Sequence, residues 1–95
     1  MKILLIEDNE EIANGLSYTF KENNYEFYHV NSLDKAKNII NKIDFNLIIL
    51  DVTLSDGNGF DFYKENLNLK NIPVIFLTAK DSEDDIVKGF ELGCD

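Results

Sequence analysis

Arginine and tryptophan are absent, and cysteine, proline, methionine and histidine occur once each. Without Arg the chain lacks the side chain best shaped for bidentate phosphate contacts. A net charge of −9 adds repulsion, so this segment is not expected to bind nucleic acid. The single Cys94 cannot close an intrachain disulfide, which agrees with a reducing compartment. No apolar run approaches the length of a membrane span, so no membrane association is expected. The N-terminus does not read as a secretion signal, because the apolar run Ile3-Leu4-Leu5-Ile6 ends at once in Glu7-Asp8. A cytoplasmic location is the expectation.

What is present is a 95-residue chain with 44% hydrophobic residues, enough for one small domain with a core. Its elements alternate. Residues 2–6 read as a strand. Residues 9–22 read as a helix with Ile12, Leu16 and Phe20 on one face. Asp8 is placed to cap that helix, with Glu11 completing an acidic capping box. Residues 25–30 are β-prone and suit an edge strand. Residues 33–43 carry Leu33, Ala36, Ile39, Ile40 and Ile43 at helical spacing. Residues 45–50 form a second buried strand, and Asp51 to Gly59 a loop rich in turn residues. A short helix follows from about Phe60 to Leu67, then a third buried strand, Val74 to Leu77, preceded by Pro73. Residues 82–92 read as a last helix with Ile86, Val87 and Phe90 inward, stopped by Gly93. The alternation predicts an α/β fold with a parallel sheet covered by helices.

Two of the apolar runs end in carboxylates: the first in Glu7-Asp8, the second in Asp51. Ligands of parallel sheets bind in the crevice at the carboxyl ends of the strands. If these strands are neighbours, three acids share one crevice, which is costly unless a cation sits among them. The residues therefore predict a divalent-metal site with one acid free to react.

Taken together, Glu7-Asp8, Asp51, Gly57-x-Gly59-Phe60, Thr78-Ala79 and Phe90-Glu91-Leu92-Gly93-Cys94-Asp95 resemble, in order and position, the receiver domain of two-component response regulators. The resemblance covers the whole chain, residues 1–95. It implies a flavodoxin-like, doubly wound sheet of order 2-1-3-4. It also implies that Asp51 accepts a phosphoryl group from a cognate histidine kinase or from acetyl phosphate. Mg²⁺ would be held by Asp8 directly, by Glu7 through water, by Asp51, and by the backbone carbonyl of Thr53. Thr78 is the implied switch hydroxyl, and the Ala79 N–H the implied donor to another phosphoryl oxygen. Thr53 and Lys80 match the two variable positions that tune loss of the acyl phosphate. Such a domain is a self-phosphorylating receiver, not a turnover enzyme.

The chain departs from the family pattern twice. Ser55 stands where the family usually has Pro, which should loosen the loop slightly. The chain also stops at Asp95, before the fifth strand with its Lys, the aromatic switch position and the fifth helix. The expectation is thus a receiver domain lacking its last β-α unit, whose fourth strand is an exposed apolar edge. Self-association through that strand is expected, and a monodisperse monomer with a sharp melt would argue against it. A non-switching interaction or dimerisation module is the alternative function. A haloacid-dehalogenase-type phosphatase fits poorly, because Thr53 stands where that class needs a second acid. A calcium-loop reading of residues 51–62 lacks its central Gly. His29 is read as a solvated or half-buried side chain, and the acidic run 81–85 as a favourable helix start.

Overall fold

Strand β1 (Lys2–Ile6) is the centre of the fold, and its residues Ile3 to Ile6 are fully buried. The computed structural model describes residues 1–77. β1 pairs in parallel with β2 (Glu26–Val30) on one side and with β3 (Leu47–Asp51) on the other. The next long strand, β6 (Val74–Leu77), pairs in parallel with β3, giving the order β2-β1-β3-β6. This is the expected 2-1-3-4 order, with β6 as the fourth long strand. Alternate residues of each central strand face opposite layers. Leu4, Ile6, Ile48, Leu50, Val74 and Phe76 pack with residues of α2 (Leu33–Ile40) and α3 (Gly59–Phe62). Ile3, Leu5, Ile49 and Leu77 pack on the other side with Ala13, Ile12, Leu16 and Phe20 of α1 (Glu10–Glu22). Burial on both faces explains why these strands read as unbroken apolar runs.

The cap of α1 differs from the expectation. Asn9, not Asp8, is the N-cap: its Oδ1 accepts the Ile12 N–H at 3.1 Å and its backbone oxygen accepts the Ala13 N–H at 3.0 Å. The helix therefore starts one residue later, and Ile12 rather than Glu11 falls at the third helical position. A capping box cannot form there, and Asp8 is left outside the helix. At the other end Asn24 takes a left-handed φ of 64°, a conformation Asn tolerates.

β3 starts two residues later than the apolar run. Asn46 donates its N–H to the Lys2 carbonyl at 2.8 Å and accepts the Lys2 N–H on Oδ1 at 2.7 Å. Phe45 is buried ahead of the strand. The shift makes Asp51 the last residue of β3, opposite Leu77 of β6. Helix α2 ends at Ile40, earlier than expected, and the Lys42 and Ile43 N–H groups both close onto the Ile39 carbonyl. After Phe62 the third helix widens into a π-helical turn, Tyr63–Leu67, marked by the Asn68 N–H donating to the Tyr63 carbonyl at 2.9 Å.

The segment read as a loop contains a small antiparallel hairpin, β4 (Thr53–Leu54) and β5 (Gly57–Asn58). Asp56 at its tip accepts the Leu33 N–H on Oδ1 at 3.0 Å and the Asp34 N–H on Oδ2 at 3.1 Å. These are amides at the start of α2, whose third helical N–H is taken by Ser32 Oγ at 3.2 Å. The hairpin is thus tied to α2 by a carboxylate cap. The Leu33 N–H, the first of these bonds in strength, holds the Asp56 carboxyl below its ordinary value. Asp56→Ala is expected to cost about 1 kcal/mol, the usual worth of a helix cap, read as a lower Tm near neutral pH. The cap acts while Asp56 is ionised and is lost as pH falls through its depressed pKa, so the two proteins should melt alike in strong acid. Equal melts at neutral pH would show that the cap contributes nothing.

The Thr78–Lys80 loop, the helix over 82–92, its stop at Gly93 and the Cys94 thiol lie outside the described residues. Among the described residues no helix is long and apolar enough to cross a membrane.

Candidate functional site

Because β1 and β3 are adjacent and in register, with Ile6 opposite Leu50, the acids that follow them meet at one edge of the sheet. Glu7, Asp8 and Asp51 each offer a carboxylate oxygen, and these oxygens lie within 4.8 Å of one another. Glu7 is 2% exposed and Asp51 6%, whereas Asp8 is open to solvent. The crowding inferred from the sequence is therefore present.

Local hydrogen bonds aim these groups. The Glu7 N–H donates to the Val30 carbonyl of β2 at 3.1 Å, extending the sheet ladder one residue past β1. The Asn9 N–H donates to Glu7 Oε2 at 3.0 Å, closing a tight turn over Asp8. On the other strand the Thr53 N–H donates to Asp51 Oδ1 at 3.3 Å. The Val52 N–H donates to the Leu77 carbonyl at 2.8 Å, so the backbone following Asp51 stays bound to β6. Gly59 lies against the backbone of Asp51 and Val52. Its N–H donates to the Val52 carbonyl at 2.6 Å. A Cβ there would collide with the Asp51 carbonyl oxygen and lie 3.1 Å from the Val52 Cα. Only a residue without a side chain lets the start of α3 approach the strand end this closely.

Burial, first, pushes the Glu7 carboxyl from 4.5 up to about 7. The Asn9 N–H opposes this. A hydrogen bond with Asp51, the negative charge of Asp51 and a hydrogen bond with Asp8 add to the rise. In the metal-free chain the cluster thus relieves its repulsion by holding a proton near neutral pH. The sign for stability follows. Between 4.5 and about 7 the folded chain binds more protons at Glu7 than the unfolded chain, so stability falls as pH rises through that window. Melting the metal-free chain and Glu7→Gln across this window should show the decline in the parent and a flatter profile in the variant. Identical profiles would place the pH dependence elsewhere.

A proton is one way to neutralise the cluster; a hard divalent cation is the other. Three carboxylates, two of them buried, form the all-oxygen donor set that Mg²⁺ favours. The residues present fit such an ion.

Of the site residues expected from sequence, Glu7, Asp8 and Asp51 are brought together, and Thr53 stands beside them through its bond to Asp51. Thr78, Ala79 and Lys80 lie outside the described residues. Three contributors were not expected in their observed roles. His29, read as a solvated or half-buried side chain, is exposed, and it also brings its ring Nε2 to 2.7 Å from the Glu7 carbonyl oxygen. Asn9 caps α1 and bonds Glu7. Gly59 makes the close approach to Asp51. For Gly59 a signal existed, since a Gly-x-Gly before an apolar residue marks a backbone needing clearance. For His29 none did, because its contact spans 22 residues of sequence.

The response regulator receiver domain family matches residues 3–95. The non-phosphorylated HemR receiver domain of Leptospira biflexa is 34% identical, with a TM-score of 0.78 over 98% of this chain and 76% of its own. The NtrC4 receiver domain, solved as a beryllofluoride-activated dimer, is 33% identical, with a TM-score of 0.75 over 98% of this chain and 78% of its own. The receiver domain of the Francisella response regulator 1452 is 27% identical, with a TM-score of 0.80 over 99% of this chain and 78% of its own.

Proposed function

The chain belongs to the response regulator receiver domain family, and from that membership we propose that Asp51 is its phosphoacceptor. Receiver domains are the phosphoacceptor switches of two-component systems, and histidine kinases are their partners. The observation that carries the assignment is the position of Asp51. It ends β3 at 6% exposure, with oxygens of Glu7 and Asp8 within 4.8 Å of one of its own.

The chemistry fits these groups. One Asp51 carboxylate oxygen attacks phosphorus, an O–P bond forms, and the P–N bond to the donor imidazole breaks with its electron pair returning to nitrogen. With acetyl phosphate the leaving group is acetate instead. The product in either case is an aspartyl phosphate. Phosphoryl transfer of this kind depends on positioning and charge neutralisation more than on covalent work by the protein. Asp8, Glu7, Asp51 and the Thr53 carbonyl would hold Mg²⁺, which when bound supplies the positive charge that offsets this gathering of anions. The Thr53 N–H restrains one Asp51 oxygen. Thr78 and Ala79 are proposed to bind phosphoryl oxygens, the first by its hydroxyl and the second by its N–H.

In this reading the chain is a switch modified once per signal, not a turnover enzyme, and it acts in the cytoplasm beside its cognate kinase. Pairing of two copies along β6, one of the two outer strands of the described sheet, belongs to the same proposal; a strictly monomeric chain by light scattering would remove it. The reading as a non-switching module is not favoured, because Glu7, Asp8 and Asp51 bring carboxylate oxygens within 4.8 Å of one another.

Intact-mass measurement after incubation with acetyl phosphate tests the function. One phosphoryl group is expected with Mg²⁺ and none with a chelator present. No gain under conditions where Mg²⁺ binds would overturn the assignment. Beryllofluoride, which activates the NtrC4 receiver domain, is expected to compete with the modification.

A further inference from the structure

One side chain reaches the acidic loop from a separate strand. His29 lies on β2, opposite Leu5 of β1, and its Nε2 is 2.7 Å from the Glu7 backbone oxygen. A carbonyl oxygen only accepts, so the ring donates from Nε2–H. We propose that His29 is a positioning residue for the metal centre, acting through the peptide that joins Glu7 to Asp8. The proposal rests on the reading of the three acids as a Mg²⁺ site.

The geometry gives the reason. The Glu7 carbonyl lies in the plane of the peptide leading into Asp8, and a peptide is rigid about that bond. Fixing the oxygen therefore fixes the plane from which the Asp8 Cα departs. β2 already accepts the Glu7 N–H through the Val30 carbonyl. With His29 the same strand holds both backbone polar groups of Glu7, one on each side of its Cα. The Asn9 N–H then holds the Glu7 side chain through Oε2. Asp8 itself is exposed, and its side chain meets the neighbouring Glu7 carboxyl. Its direction depends on the backbone that carries it. Mg²⁺ demands near-ideal octahedral geometry and short oxygen distances, so an error in that direction is expressed as lost affinity. Groups that orient ligands in this way typically contribute a factor of 10–100 to metal binding.

The test is calorimetric Mg²⁺ titration of the parent chain, His29→Phe and His29→Gln. Phe retains an aromatic ring and loses the donor; Gln retains an N–H donor and is never charged. The expected result is a roughly tenfold or larger weakening in His29→Phe, substantially restored in His29→Gln, with similar melting temperatures for all three metal-free proteins. Restoration by Gln is a result that simple loss of packing does not produce. Unchanged affinity in His29→Phe overturns the proposal, as does equal weakening in both variants. Tighter binding in both would mean that ring charge outweighs positioning, and would also overturn it. Failure of the parent chain itself to bind Mg²⁺ would overturn the metal-site reading and this proposal with it, so the two failures are distinguishable.

Discussion

Asp51→Asn is expected to gain no phosphoryl group at all, and to be more stable than the parent in the absence of metal. The loss is complete because the amide oxygen is a poor nucleophile and no other described acid ends β3. The gain in stability comes from the same site. Asp51 raises the Glu7 pKa both by hydrogen bonding and by its charge. Removing that charge relieves the like-charge contact while keeping the size of the side chain and an Oδ1 acceptor for the Thr53 N–H. Stabilisation on the order of 1 kcal/mol is expected at neutral pH. It should appear as a higher Tm in chelator and shrink when Mg²⁺ is added, because the parent alone gains fully from the ion. An Asn variant that melts lower than the parent in chelator would show that the acids are not in conflict. Function and stability oppose each other at this position, as they commonly do where a site is built from groups that repel.

Gly59→Ala is expected to have the largest effect on folding of a methyl added at any of the described glycines. The new Cβ would meet the Asp51 carbonyl oxygen and carbon, which belong to the central sheet and cannot turn aside as a side chain would. Relief requires moving the start of α3 away, which breaks the 2.6 Å bond from the Gly59 N–H to the Val52 carbonyl. It also displaces Phe62, which is 6% exposed in the core. Overpacking of this kind costs typically 1–3 kcal/mol, and the backbone target puts this case at about 3 or more. A control is built into the chain. Gly15 in the middle of α1 has nothing within 4 Å of its would-be Cβ, so Gly15→Ala should stabilise by about 1 kcal/mol. Thermal melts of the two variants should therefore move in opposite directions. A Gly59→Ala chain that melts with the parent and is phosphorylated normally would mean that α3 does not approach the strand as closely as described.

Much of this was legible in the sequence, for physical reasons that differ by element. The central strands announced themselves because burial on both faces leaves no polar residue in Ile3 to Ile6 or Leu47 to Leu50. The acids at their ends were legible because a charged residue breaking such a run must lie at the sheet edge. The order of strands and the site roles came from the family resemblance, not from periodicity. The start of α1 was misplaced by one residue because Asp8 and Asn9 are both good caps, and only the backbone decides which side chain meets the Ile12 N–H. The hairpin over residues 53–58 was invisible because its strands are two residues each, too short to show alternation. Asp56 looked like an ordinary turn residue, since its partners, Leu33 and Asp34, lie more than twenty positions away.

Asp51 differs from the other two acids in belonging to a strand rather than following one. It faces Leu77 in the ladder, while Glu7 and Asp8 come after β1 has ended. Ordering a residue's backbone costs about 1–2 kcal/mol of conformational entropy. For the proposed nucleophile that ordering is complete when the sheet forms, and none of it would fall on the encounter with a phosphoryl donor. The freedom left at the site belongs to Asp8, whose side chain remains in solvent. On the proposed roles the labour is divided in time: folding orders the backbone that carries the attacking carboxylate, and the adjustable group is one that would meet a small, exchangeable ion.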